Sequence, residues 1–178
     1  GNRRHGDVEH QGKVMTPQEV EAATFAQRVE DLQRSWKPKL KRLRSAMVKR
    51  NADPEDIRAA AAEVRAIKDP LAGKALAEMY EEEDHPLPKA REDLALLWIQ
   101  TLGENSSGVA VDTIVKAAIQ DPSKRVREAA RDALEASKDR RAVGALLIEL
   151  KSKDNARVNR AGAALERIAD VETLVPLM

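Results

Sequence analysis

The chain has 178 residues, and its 31 basic and 30 acidic side chains leave a formal net charge of only +1. This balance argues against a general electrostatic attraction to nucleic acid or to a membrane surface. The absence of Cys excludes disulfides and thiolate metal sites. No apolar run reaches the roughly 18 residues of a membrane-spanning helix. The length fits one domain, or one repeat array with an extension.

The first 15 residues are polar, carry three Gly and lack apolar periodicity. We therefore expect a disordered tail over residues 1–15. His5 and His10 lie in this tail, and a metal site there would need further ligands nearby. Because the chain begins with Gly, we expect the natural protein to begin earlier, so no compartment is predicted.

A helix is predicted to begin at Thr16, with Pro17 at its first position and Glu19 completing a capping box. Pro38 interrupts the apolar pattern that follows. Because Pro inside a helix removes a hydrogen bond and clashes with the preceding turn, we expect two N-terminal helices, the second capped by Ser35. A kinked continuous helix is the alternative. The stripe comprises Phe25, Val29, Leu32, Trp36, Leu40, Leu43 and Met47.

The second of these predicted helices carries no acidic residue between Leu32 and Ala52. One interpretation is that these residues form a solvent-exposed face. In that case the two predicted helices of residues 16–52 cap the array, and the basic helix packs on it through its apolar stripe. The other is a patch for a polyanion such as nucleic acid, an acidic protein or anionic lipid. The basic residues are Arg34, Lys37, Lys39, Lys41, Arg42, Arg44, Lys49 and Arg50.

Helical hairpins are predicted from residue 53 onward, the first two helices opened by Asp53-Pro54 and Asp69-Pro70. Residues 81–88 combine an acidic run with two Pro and indicate a loop. A solvated loop, a cation site and an internal counter-patch to the basic helix are the three interpretations. We expect His85, within this loop, to be exposed.

The hairpins repeat with a fixed spacing. Leu134 and Leu165 are 31 residues apart, and Leu102 precedes Leu134 by 32. The pairs Ala130/Ala161, Ala133/Ala164 and Asp139/Asp170 also keep the 31-residue offset. Such a period is typical of stacked helical hairpins. We predict repeats over 54–85, 86–120, 121–152 and 153–178, the last one truncated.

Several of these motifs resemble HEAT repeats: Val126-Arg127, Ala129-Ala130, Ala133-Leu134, and Val158-Asn159-Arg160-Ala161. The resemblance is closest to the short HEAT-like repeats of the phycobilisome-lyase type and to HEAT-repeat proteins of planctomycete bacteria. It covers roughly residues 54–178 and implies an all-α fold, an α-solenoid of about four hairpins preceded by two N-terminal helices. A tetratricopeptide repeat is disfavoured because Trp98 and Leu102-Gly103 are spaced one residue too far apart.

No catalytic or cofactor-binding motif is apparent. None of the three His is followed by Glu, and the sequence holds no Gly-rich phosphate loop or nucleophile elbow. We therefore predict a non-catalytic scaffold, without cofactor or metal, that binds a protein or peptide on its inner helices. Nucleic-acid or other polyanion binding through residues 34–50 is the alternative. The candidate recognition residues are Lys74, Glu78, Lys116, Gln120, Arg140, Arg141 and Glu149.

The C-terminal segment is apolar where a natural array would end in a polar cap. Leu174, Val175, Leu177 and Met178 would form a short inner helix with no following repeat. We therefore expect the array to continue in the natural protein, and the isolated end to fray or to associate with another molecule.

Overall fold

The structure is a computed structural model that describes residues 8–10 and 12–169 of the chain. Eight α-helices dominate this part, so the all-α prediction is confirmed. They are α1 (Pro17–Val48), α2 (Pro54–Arg65), α3 (Gly73–Glu81), α4 (Pro88–Gly103), α5 (Gly108–Gln120), α6 (Lys124–Ser137), α7 (Arg140–Glu149) and α8 (Asn155–Ile168). A 3₁₀ turn (Pro70–Ala72) leads into α3.

The helices pack in two rows. Helices α2, α4, α6 and α8 each contact the next in that series, and so do α1, α3, α5 and α7. We call these the even layer and the odd layer. Ion pairs link neighbours within each layer: Arg125 of α6 to Glu92 of α4, and Lys116 of α5 to Glu81 of α3. The chain therefore alternates between two layers of neighbouring helices, as stacked hairpins would.

The apolar core runs between the layers, and its key residues recur at equivalent places in the even layer. Val64, Leu102 and Leu134 are at most 1% exposed. The offsets between them, 38 residues from Val64 to Leu102 and 32 from Leu102 to Leu134, therefore join buried positions. Leu165 is only half-buried against the same core. The reason is positional, since the described structure places no helix beyond α8. Burying such a Leu side chain contributes about 1.5–3 kcal/mol relative to leaving it exposed.

The prediction of two N-terminal helices is wrong, because α1 continues through Pro38 as one helix of 32 residues. Pro38 faces solvent, whereas Leu40 and Leu43 are buried on the side where α1 contacts α2 and α3. We attribute the continuity to this packing, which offsets the hydrogen bond that Pro38 removes. Ser35 is not a cap; its hydroxyl donates to the carbonyl of Leu32 at 2.7 Å.

The predicted capping box at the start of α1 is confirmed, but the apolar stripe of α1 is only partly used. Phe25 is 69% exposed and Leu32 is 53% exposed, so the first half of the helix extends beyond the core. Trp36 is partly buried against the core, and the Nζ of Lys39 lies 5.0 Å from its ring centroid. The second half of α1 therefore docks on the array as predicted, while the first half does not.

The tail prediction needs a correction where the structure describes it. Residues Val8–His10 (β1) and Lys13–Met15 (β2) pair as antiparallel strands. Gly12 adopts a φ of +78° in their two-residue connection, a conformation that Gly reaches without steric cost. Residues 1–7 and 11, including His5, lie outside the described residues.

Two glycines allow close approaches. A Cβ on Gly73 would lie 2.1 Å from the Oγ of Ser107, the residue that caps α5. Gly103 is the last residue of α4, and Glu104 occupies the cap position. A Cβ there would lie 3.0 Å from the Cβ of Ala133, so Gly103 lets α4 and α6 pack closely.

Candidate interaction surface

The acidic run that follows α3 binds the basic helix internally. Arg44 donates two hydrogen bonds to Glu83, from Nε at 2.9 Å and from Nη2 at 2.7 Å. The Nε1 of Trp98 donates a third at 3.2 Å. The Glu83 side chain is fully buried. Among the three interpretations of this loop, the internal counter-patch is therefore the one the structure supports.

Electrostatics keep this buried carboxylate charged. Burial by itself raises the pKa of Glu83, but the hydrogen bonds from Arg44 and Trp98 outweigh it, so the pKa lies below its usual value. The same pair raises the pKa of Arg44. His85, expected to be exposed, is half-buried, and its Nδ1 accepts a hydrogen bond from the amide of Leu87.

The predicted basic patch divides into two groups of four. Lys37 contacts Glu78 and Glu82, each at 2.7 Å, and these hydrogen bonds raise its pKa. Arg34 pairs with Glu30, Lys39 with Glu63, and Arg44 with Glu83. The second group makes no ion pair with any residue that the structure describes, and its members are exposed: Lys41, Arg42, Lys49 and Arg50.

A second buried carboxylate, missed by the sequence reasoning, follows α5. Asp121 accepts two hydrogen bonds from Arg91, at 2.8 and 2.9 Å, and one from the hydroxyl of Tyr80 at 2.6 Å. Burial and the contact with Asp121 raise the pKa of the Tyr80 phenol far above its usual value. Because Asp121 lies 38 residues after Glu83, the offset between Val64 and Leu102, the repeat spacing could have indicated this position.

Glu149 does not belong with the other predicted recognition residues. It pairs with Arg157 of α8 through two hydrogen bonds of 2.8 and 2.9 Å, and its side chain is 19% exposed. Its equivalent at the 32-residue offset, Ala117, is fully buried. Glu149 therefore lies against α8 of the even layer, with its carboxylate occupied by Arg157.

Four of the predicted residues fall on one face of the odd layer. At the repeat offsets of 38 and 32, Lys74 of α3 corresponds to Asp112 of α5 and Gly144 of α7. These three positions are all exposed. Two further rows follow the same offsets: Glu78, Lys116 and Ile148, then Glu82, Gln120 and Ser152. Every member of these rows is exposed or half-buried. We call this surface of α3, α5 and α7 the odd-layer face.

Shallow clefts separate the helices of this face. The cleft between α1 and α3 has a volume of about 170 Å³ and includes Lys37, Lys74 and Glu78 in its lining. The cleft between α3 and α5 has a volume of about 200 Å³ and includes Lys116 and Gln120. Basic and acidic side chains line both clefts. The face therefore offers hydrogen-bond donors and acceptors together, but no electrostatic potential of a single sign.

The remaining predicted residues lie at one end of this face. Arg141 pairs with Asp139 and donates from Nη2 to the carbonyl of Ser106 at 3.0 Å. The pairing raises the pKa of Arg141 and lowers that of Asp139. These contacts tie the start of α7 to the turn before α5. Arg140, the neighbouring residue, is exposed.

Among the residues that the structure describes, no three or more His, Asp or Glu side chains are arranged to hold a metal ion. Within the same residues, no helix combines the length and apolar character needed to cross a membrane.

No protein-family model matches the chain, and no curated protein sequence matches it either.

Proposed function

We propose that the chain is an α-solenoid of HEAT-like hairpins that acts as a non-catalytic scaffold, binding a protein or peptide on the odd-layer face. The observation that carries the proposal is the recurrence of exposed positions at the repeat offsets on α3, α5 and α7. A repeat array presents such rows as one extended surface, and solenoids use surfaces of this kind for recognition.

The chemistry of the face favours a polypeptide partner. Lys74, Asp112 and Gln120 offer both donors and acceptors, and the rows extend to the apolar Ile148, which is 69% exposed. An extended peptide presents backbone donors and acceptors together with mixed side chains. A partner whose charges all have the same sign is complementary to only part of this surface.

The test is a selection of peptides on the intact protein, followed by affinity measurements on two matched variants. The first is the double variant Lys74→Glu and Lys116→Glu, on the odd-layer face. The control is Lys124→Glu on α6 of the even layer, whose side chain is 78% exposed. We expect the double variant to weaken binding of the selected peptides about tenfold or more, because hot-spot losses are concentrated in few residues, and the control to leave it unchanged. Equal affinities for all three proteins would refute the proposal.

A second candidate function, polyanion binding, rests on four exposed cations in and just after α1 that form no ion pair with any described residue: Lys41, Arg42, Lys49 and Arg50. Neutralising four phosphates would make the logarithm of the affinity fall with the logarithm of salt at a slope of about −3 to −4. A salt titration with a single-stranded or duplex oligonucleotide measures this slope. Binding that vanishes in Lys41→Gln/Arg42→Gln and persists in Lys37→Gln would support this candidate over the scaffold.

A further inference from the structure

Helix α7 has an apolar face that no described helix covers. Leu147 is 50% exposed and Leu150 is 38% exposed, although α7 packs on α5 and α8. On the covered side of the same helix, Leu146 is fully buried. Two exposed Leu side chains, one within α7 and one at its C-cap, require a physical explanation, because burial of apolar surface is favourable.

The preceding repeat shows what these positions normally contact. At the 32-residue offset, Leu147 corresponds to Val115 of α5, and Leu150 corresponds to Ala118. Val115 is 5% exposed and Ala118 is 1% exposed. They are buried because α5 has both layers of the next repeat, α6, α7 and α8, packed against it. Exposure on α7 therefore occurs at the positions where the following odd-layer element would lie.

The same comparison identifies Ile148 as a control position. Ile148 is 69% exposed, but its equivalent is Lys116, which is exposed in the preceding repeat as well. Ile148 thus belongs to the odd-layer face and not to the contact between successive repeats. Leu147 and Ile148 are adjacent in the chain and both apolar, yet the repeat assigns them to different surfaces.

The chain itself carries a segment suited to the uncovered face. Residues 170–178 lie outside the described residues, and they follow α8 after a single residue, Ala169. At the 31-residue offset Asp170 corresponds to Asp139, the residue that caps α7. Leu174, Leu177 and Met178 then correspond to Val143, Leu146 and Leu147. We propose that residues 171–178 dock on the α7 face formed by Leu147 and Leu150.

The test is hydrogen exchange of the whole chain at low protein concentration, read by mass spectrometry for the peptide that contains residues 171–178. We expect its amides to exchange about tenfold or more slowly than those of the same sequence as a free peptide, because a docked segment opens only part of the time. The variant Leu147→Glu should abolish this protection. The matched variant Ile148→Glu should leave it in place.

Two further measurements keep the result interpretable. Leu174→Glu changes the segment instead of the face and should expose α7 while leaving α2 to α4 protected, so a general failure to fold is recognised. A concentration series separates docking within one chain from contact with a second copy. An unprotected wild-type segment, protection that appears only at high concentration, or equal losses in the Leu147 and Ile148 variants would each overturn the proposal.

Discussion

Removing one partner of the buried ion pair between Arg44 and Glu83 should be strongly destabilising, because the other partner is left as an uncompensated charge where α1 packs against the rest of the chain. In Glu83→Gln the amide keeps one acceptor oxygen but presents an NH₂ donor toward the guanidinium. Breaking a buried pair costs about 3–5 kcal/mol. The Arg44 side chain remains 24% exposed, and its Nη2 lies 3.7 Å from Oδ1 of Asp84. We therefore expect Glu83→Gln to lower the free energy of unfolding by about 3 kcal/mol, the lower end of this range.

The assay is chemical denaturation followed by far-UV circular dichroism, with two matched comparisons. Arg34→Gln removes the pair with Glu30, whose side chains are 69% and 52% exposed, and should leave the midpoint unchanged. The double variant Arg44→Met and Glu83→Leu should recover to within about 1–2 kcal/mol of the wild type, since apolar replacements of a buried pair are often neutral. The remaining loss reflects the acceptor that Trp98 no longer has.

The pair also predicts a pH dependence. The pKa of Glu83 is lower in the folded chain than its ordinary value of 4.5. Its contribution to the free energy of unfolding is therefore fully present above that value and is lost as the pH falls through the folded-state pKa. The stability of Glu83→Gln should depend less steeply on pH below 4.5 than that of the wild type. The reasoning is wrong if Glu83→Gln costs less than about 1 kcal/mol or if the two acid profiles are parallel.

Two further substitutions test packing, each with an internal control, by urea denaturation. Gly73→Ala should destabilise by about 1–3 kcal/mol because its Cβ would overlap the Oγ of Ser107 at 2.1 Å. Gly144→Ala, where nothing lies within 4 Å of the new Cβ, should be neutral or stabilise by up to about 1 kcal/mol. Leu134→Ala should cost about 2–5 kcal/mol because the side chain is 1% exposed. Leu165→Ala should cost distinctly less because its side chain is only half-buried, and equal losses would contradict this difference in packing.

Local sequence signals were sufficient where the responsible contacts are local. The capping box of Thr16 and Glu19 and the caps at Asp53 and Asp69 were predicted from a few adjacent residues, and the structure has them. The repeat offset likewise identified Leu134 as a core position, because a period in the sequence is a period in the packing. These features depend on backbone propensity and on hydrophobic spacing, both of which can be read directly from the order of residues.

Tertiary packing decided the remainder. Pro38 argued for a helix break, but Leu40 and Leu43 on the far side of the Pro are buried against α2 and α3, and α1 continues. The partners of Arg44 and Arg91 lie 39 and 30 residues away in the chain. Pairing over such distances is set by which helix ends meet, and many carboxylates compete for each cation in so charged a sequence. The sequence alone therefore determined the all-helical fold class and the spacing of its core positions, while the three-dimensional packing determined the continuity of α1 and which charges are buried.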